Sequence, residues 1–153
     1  MNYIFNNNNI KVATNTNIDS LLPLFKYAYN FHRNNRKDIF IEKSDKDFKQ
    51  TIKEFISEKN LNIFIYVIDN NIVGYIAFEI INNSFIYIDE LAVKEDFQNK
   101  KIAKQLLDEL YNYAKYININ RVELGCWSFN KKAMNLYKSI GYKEKKVILE
   151  KIV

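Results

Sequence analysis

Ile88-Asp89-Glu90-Leu91-Ala92-Val93-Lys94-Glu95-Asp96-Phe97-Gln98-Asn99-Lys100-Lys101-Ile102-Ala103-Lys104-Gln105-Leu106-Leu107 reads as an apolar strand, a short polar turn and a basic start to an amphipathic helix. The first N–H groups of a helix have no partner within it and carry partial positive charge, so such a start suits a phosphate. Lys100, Lys101 and Lys104 fall within the same five residues. A pyrophosphate-bearing ligand is the chemistry this stretch first suggests.

The elements on either side place that stretch in a fold. Asn62 to Ile68, Ile72 to Ile81 and Phe85 to Val93 are rich in β-branched and aromatic residues. Asp69-Asn70-Asn71 and Asn82-Asn83-Ser84 separate them. Three strands joined by three-residue turns predict an antiparallel meander. A helix from about Lys100 to Tyr116 gathers Ile102, Ala103, Leu106, Leu107, Leu110 and Ala114 on one face. A strand follows at Arg121–Cys126, and a helix between two strands makes them parallel. Asn130 to Ser139 reads as a second helix ended by Gly141. Lys145 to Ile152 alternates at Val147 and Leu149 and is expected to close the sheet as a last strand.

Upstream, Asn6 to Asn9 is expected to be a loop and Ile10 to Thr14 a strand. Thr16, Asn17 and Asp19 offer caps to a helix carrying Leu21, Leu24, Phe25, Ala28 and Phe31. Ser44 and Asp47 form a capping box before Phe48, Ile52, Phe55 and Ile56. The expected architecture is α+β over residues 1–153 as one domain. It has a mixed, mostly antiparallel sheet of about six to seven strands flanked by about four helices.

Composition narrows the function. With 48% hydrophobic and 27% charged residues the chain is globular. A net charge of +5 suits an anionic ligand but is modest for nucleic-acid binding, so no nucleic-acid partner is expected. Tyr111, Tyr113 and Tyr116 beside Lys115 could stack on bases, but packing against the sheet explains them more simply. Cys126 is the only cysteine, so no internal disulfide can form and a reducing cytoplasm is the simplest setting. No run approaches the roughly 18 apolar residues of a spanning helix, so no membrane partner is expected. His, Cys, Asp and Glu show no metal-ligand spacing. Cys126 reads as a small buried hydrophobe and His32, the only histidine, as a helix-face residue.

Two motifs in this order of elements resemble the GNAT N-acetyltransferase family. In that family a strand ending in Leu-x-Val leads into Gln/Arg-x-x-Gly-x-Gly/Ala at a helix start. Here Leu91-Ala92-Val93 and Gln98-Asn99-Lys100-Lys101-Ile102-Ala103 stand in those places. The second motif is an Asn at a later helix start, followed by Ala, an aromatic and Gly-Phe/Tyr. Here these are Asn130, Ala133, Tyr137, Gly141 and Tyr142.

The resemblance implies an acetyl-CoA-dependent N-acetyltransferase that needs no metal. The acetyl group would go to a primary amine, on a small molecule or a peptide N-terminus, by direct attack. It implies that Leu91, Ala92 and Val93 pair with the pantetheine arm as an added strand would. The N–H groups from Gln98 through Asn99, Lys100, Lys101, Ile102, Ala103 and Lys104 would take the pyrophosphate. Asn130 would reach the pantetheine as well as cap its helix. Tyr137 would contact the cofactor and reprotonate the departing thiolate; spacing alone reads it equally as a core aromatic beside Leu136 and Ile140.

Glu90 is the favoured base, with Asp89, or Glu79 through water, as alternatives. Strand alternation lets only one of Asp89 and Glu90 face the site unless a bulge intervenes. Lys101 replaces a family glycine in a loop without any; ordinary helical φ is expected there, so that lysine is tolerated. The acceptor is expected between Phe31–Phe40 and the region of Trp127 to Phe129. The last strand is free to pair within the monomer or across a homodimer. A non-catalytic acyl-CoA-binding module of the same fold is the alternative function.

Overall fold

The polar turns and apolar runs fold into a sheet with helices on both faces. The computed structural model describes residues 2–153. In chain order the elements are β1 (Ile10–Val12), α1 (Ile18–Asn35), α2 (Asp45–Ser57), β2 (Leu61–Ile68), β3 (Asn71–Ile81), β4 (Phe85–Val93), α3 (Ile102–Tyr116), β5 (Val122–Leu124) and α4 (Lys131–Ser139). Short 3-10 turns precede α1 and follow β4. The sheet order is β1-β2-β3-β4-β5. The first four strands are antiparallel, and β4 pairs β5 in parallel.

Strand alternation sorts the core into two layers. Phe64, Val73, Ile76, Phe78, Ile86, Ile88 and Val93 pack with Leu106, Leu107 and Leu110 of α3. Ile63, Ile65, Tyr75, Ala77 and Ala92 pack with Leu21, Leu24 and Phe25 of α1 and with Phe48 and Ile52 of α2. Gly74 permits close approach of α3: a Cβ there would stand 3.2 Å from the Ala92 carbonyl and 3.3 Å from Ile102. The start of α3 is thereby held against the end of β4.

The N-terminal loop is anchored by a buried carboxylate. Glu109 of α3 is 2% exposed. It accepts from the Tyr3 hydroxyl at 2.6 Å and from the backbone N–H groups of Asn6 and Asn7 at 3.0 Å each. Gln105 accepts from Asn7 and Tyr66. The asparagine run is therefore a clamped loop.

Several expectations are corrected. The described residues form five strands, not six to seven, because residues 143–153 make no ladder. Val147, Ile148 and Leu149 are 69%, 83% and 89% exposed. Alternation marks a segment able to form a strand but supplies no partner. This segment is instead tethered through ion pairs, Lys145 to Glu123 and Glu150 to Arg36. The turn after β2 has two residues, Asp69 and Asn70, both at positive φ, which is the hairpin geometry that follows the sheet twist. Asn17 occupies the N-cap position of α1 without a side-chain cap; its carboxamide oxygen accepts from the Thr14 N–H at 2.8 Å. The Ser44–Asp47 capping box is present as read.

Candidate active site

The site lies where β4 parts from β5. Their pairing covers Ile86 to Ile88 against Val122 to Leu124 and then stops. From Asp89 to Val93, β4 keeps only β3 as a neighbour. The Lys94 N–H donates to Val73 of β3. Alternation therefore turns the peptide groups of Leu91 and Val93 the other way, toward the open edge. An extended amide chain could pair there.

A bulge sits at the head of this edge. Ala77 pairs with Glu90, while the next residue, Phe78, pairs with Ile88. Asp89 is thus an extra residue in β4 with no partner of its own. Such a bulge bends the strand and re-aims side chains. Asp89 and Glu90 both line one cleft of about 70 Å³, although neighbours on a regular strand would face opposite ways.

That cleft also gathers His32 of α1, Cys126 and Trp127 beyond β5, and Asn130, Ala133 and Tyr137 of α4. Asn130 caps α4 by accepting from the Ala133 N–H at 3.2 Å, and Gly141 ends the helix at φ 99°. Tyr137, in the last turn of α4, lines the same cleft as Glu90 of β4. A larger depression of about 410 Å³ lies beside the start of α2. It is a groove of exposed charged side chains, and it lacks the facing acid and base of the smaller cleft.

Burial tunes the acid–base groups. It raises Glu90 to about 7, helped by the negative charge of Asp89. Burial and Glu79 raise Asp89 to about 6. Asp89 is exposed, however, so water screens it and its shift carries less weight. Tyr137 is pushed well above the ordinary phenol value, chiefly by burial and then by Cys126 and Glu90. Burial also raises the Cys126 thiol, which keeps it un-ionised and a poor nucleophile. The arrangement pairs a carboxylate that ionises near neutrality with a phenol that stays protonated.

The opposite end of the open edge runs into the start of α3. The Gln98 N–H donates to Glu95 and the Gln105 N–H to Lys101. Between them, the N–H groups of Asn99 through Lys104 have no hydrogen-bond acceptor among the described residues. Asn99 and Lys101 both stand at φ 62°. The expectation of ordinary helical φ at Lys101 is thus corrected: the lysine is the left-handed N-cap, and α3 begins one residue later. Left-handed residues within a turn make a concave row of N–H donors suited to an anion.

Side chains frame this row. Lys104 pairs with Asp108 at 2.8 Å, and Lys100 lies over the Phe97 ring at 5.1 Å. Gln98 donates through Nε2 to the Val93 carbonyl at 3.0 Å and accepts from Lys132 of α4 at 2.7 Å. Sequence reading missed this brace, which ties the loop to the helix that carries Tyr137.

It also missed His32 in the cleft. The His32 Nδ1 donates to the Ala28 carbonyl at 2.9 Å, and its Nε2 has no hydrogen-bond partner among the described residues. Around it, Phe31, Phe40, Trp127 and Phe129 form one aromatic cluster, with centroids 5.4 to 5.9 Å apart along its contacts. The spacing of α1 aromatics held a signal, since His32 falls between Phe31 and the loop to Phe40.

The mixed sheet that opens between β4 and β5 and runs into a donor-rich helix start is an acyltransferase fold. Residues 26–142 match the model of the acetyltransferase (GNAT) family, and the chain belongs to that family. It is 26% identical over 145 residues to an uncharacterised N-acetyltransferase of Methanocaldococcus jannaschii; the match covers 91% of this chain and 62% of that relative. The fold is similar to that of the BH1408 protein from Bacillus halodurans, with TM-score 0.86, 19% identity and coverage of 94% and 99% of the two chains. It is also similar to the aminoglycoside N-acetyltransferase AAC(6')-Iy solved in complex with CoA, with TM-score 0.75, 16% identity and coverage of 94% and 93%.

Proposed function

We propose that this protein transfers an acetyl group from acetyl-CoA to a primary amine by direct attack, with residues 1–153 acting as one catalytic unit. The observation that carries this reading is the meeting of Glu90 and Tyr137 in one cleft at the head of the open β4 edge.

The chain's features fit the donor substrate. The peptide group of Leu91 and the N–H of Val93, both turned to the open edge, suit the amides of a pantetheine arm. The unpaired N–H row from Asn99 to Lys104 suits a pyrophosphate. Lys101, with no ion-pair partner among the described residues, adds charge at the same place. Asn130, at the end of α4 nearest this edge, supplies a further amide.

Each catalytic role follows from an environment. Glu90, ionising near pH 7, takes the proton that the attacking nitrogen must lose. Tyr137, held protonated, gives one to the sulfur as the C–S bond breaks. Proton uptake and release balance over the cycle, and no acyl-enzyme is needed. The aromatic cluster around His32 bounds the acceptor side.

A thiol-release screen with acetyl-CoA against polyamines, amino acids, aminoglycosides and peptides tests the reading. Replacing Tyr137 with Phe should lower kcat by about 10²- to 10⁴-fold, the usual contribution of a general acid. CoA affinity should stay within a few-fold. CoA binding without thiol release from any acceptor would leave a binding module instead.

A further inference from the structure

The Tyr75 hydroxyl is a polar atom the structure leaves without a partner. Tyr75 is fully buried, and its oxygen makes no hydrogen bond among the described residues. An unmet buried donor costs roughly 1–3 kcal/mol, and Phe would fill the same space without it. The ring is fixed by parallel stacking on Phe25 of α1 at 4.3 Å and 9°.

The sheet register gives the hydroxyl a destination. Tyr75 pairs with Ala92, and Ala77 pairs with Glu90. Tyr75 and Ala77 lie on the α1 face, so Tyr75 and Glu90 are diagonal cross-strand neighbours on one face. Such pairs lie about 7–8 Å apart at the backbone, within reach of an aromatic side chain. The negative charge of Glu90 adds to burial in holding the Tyr75 hydroxyl protonated.

We propose that Tyr75 is a positioning residue for Glu90: its hydroxyl donates to the carboxylate as Glu90 loses its proton. This deepens the reading of Glu90 as the base and rests on it only for the effect on rate. The other titratable groups around Glu90 are Asp89, whose negative charge opposes its ionisation, Tyr137, Cys126 and His32, which line the same cleft, and Glu79, which acts on Asp89. Tyr75 is the fully buried donor with no other partner among the described residues, and a hydrogen bond from it would favour the charged form. A fixed donor would also hold one carboxylate oxygen and leave the other for the incoming amine.

The test is a ¹³C NMR titration of the Glu90 carboxyl in the wild-type protein and in Tyr75→Phe. Loss of a hydrogen bond to the charged form should raise the Glu90 midpoint by about one pH unit. The acidic limb of kcat/KM should move with it and should not respond to Tyr75→Phe in a Glu90→Gln background. An unchanged Glu90 midpoint in Tyr75→Phe overturns the proposal whatever the rates do. If the midpoint moves but Glu90→Gln leaves the rate intact, Tyr75 still positions Glu90, and the assignment of Glu90 as base is what fails.

Discussion

Lys101 holds a left-handed φ of 62° directly before α3. A non-glycine residue in that region is strained by roughly 1–2 kcal/mol; Asn99, at the same φ, suffers less because Asn tolerates it. The motif had marked position 101 as unusual, since Lys stands where glycine is common. Which φ it takes was not legible, because a helix start can begin on either side of the residue. The strain predicts that Lys101→Gly raises unfolding stability by up to about 1 kcal/mol, after allowing for the greater freedom of Gly in the unfolded chain. Chemical denaturation measures it, and a loss of stability would show that the Lys101 side chain contributes more than its backbone costs. The neighbouring carboxylates were legible only in part. Both Asp89 and Glu90 could be named, but the bulge that turns both toward the cleft depends on β3 register, which no local pattern encodes.

At the scale of elements, the apolar runs of β2 and β3, which are buried on both faces, and the period-3.6 stripe of α3, which is buried on one, made those elements legible. Such patterns failed where an end is decided by contacts far along the chain. The segment 143–153 looks like a strand but stays exposed, tethered by Arg36 and Glu123. The N-terminal loop shows the converse, since nothing near Asn6 announces that Glu109 will hold it. Glu109 sits on the buried face of α3 among Leu106, Leu110 and Tyr113, a place an unpaired carboxylate would not take. Glu109→Ala would strand the Tyr3 hydroxyl and two N–H groups at once. We expect a loss of about 2–4 kcal/mol from these unmet donors, with hydrogen exchange rising first in residues 3–9. A loss below about 1 kcal/mol would mean that water replaces the carboxylate at no cost and that the loop is not anchored there.

At the scale of the molecule, the site sets a site-specific pH dependence on folding. The ordinary Glu value is 4.5, and the fold raises Glu90 to about 7. Below about 4.5 both folded and unfolded chains hold this proton, and Glu90 is neutral in each. Between about 4.5 and 7 the unfolded chain releases it while the folded chain keeps it. Folding then takes up a proton, so stability from this group falls as pH rises and levels off above about 7. Gln at position 90 resembles the protonated acid at every pH and escapes that fall. Glu90→Gln should therefore match the wild type in Tm near pH 4.5 and exceed it near pH 8, with the gap opening between. Other titrating groups are common to both proteins and cancel in the difference, except for Asp89, whose own ionisation eases once Glu90 carries no charge. Calorimetry at three pH values checks this without any substrate. A gap that does not widen with pH would mean that Glu90 ionises as freely folded as unfolded, and the cleft would then lack the base tuned to neutrality on which the catalytic reading depends.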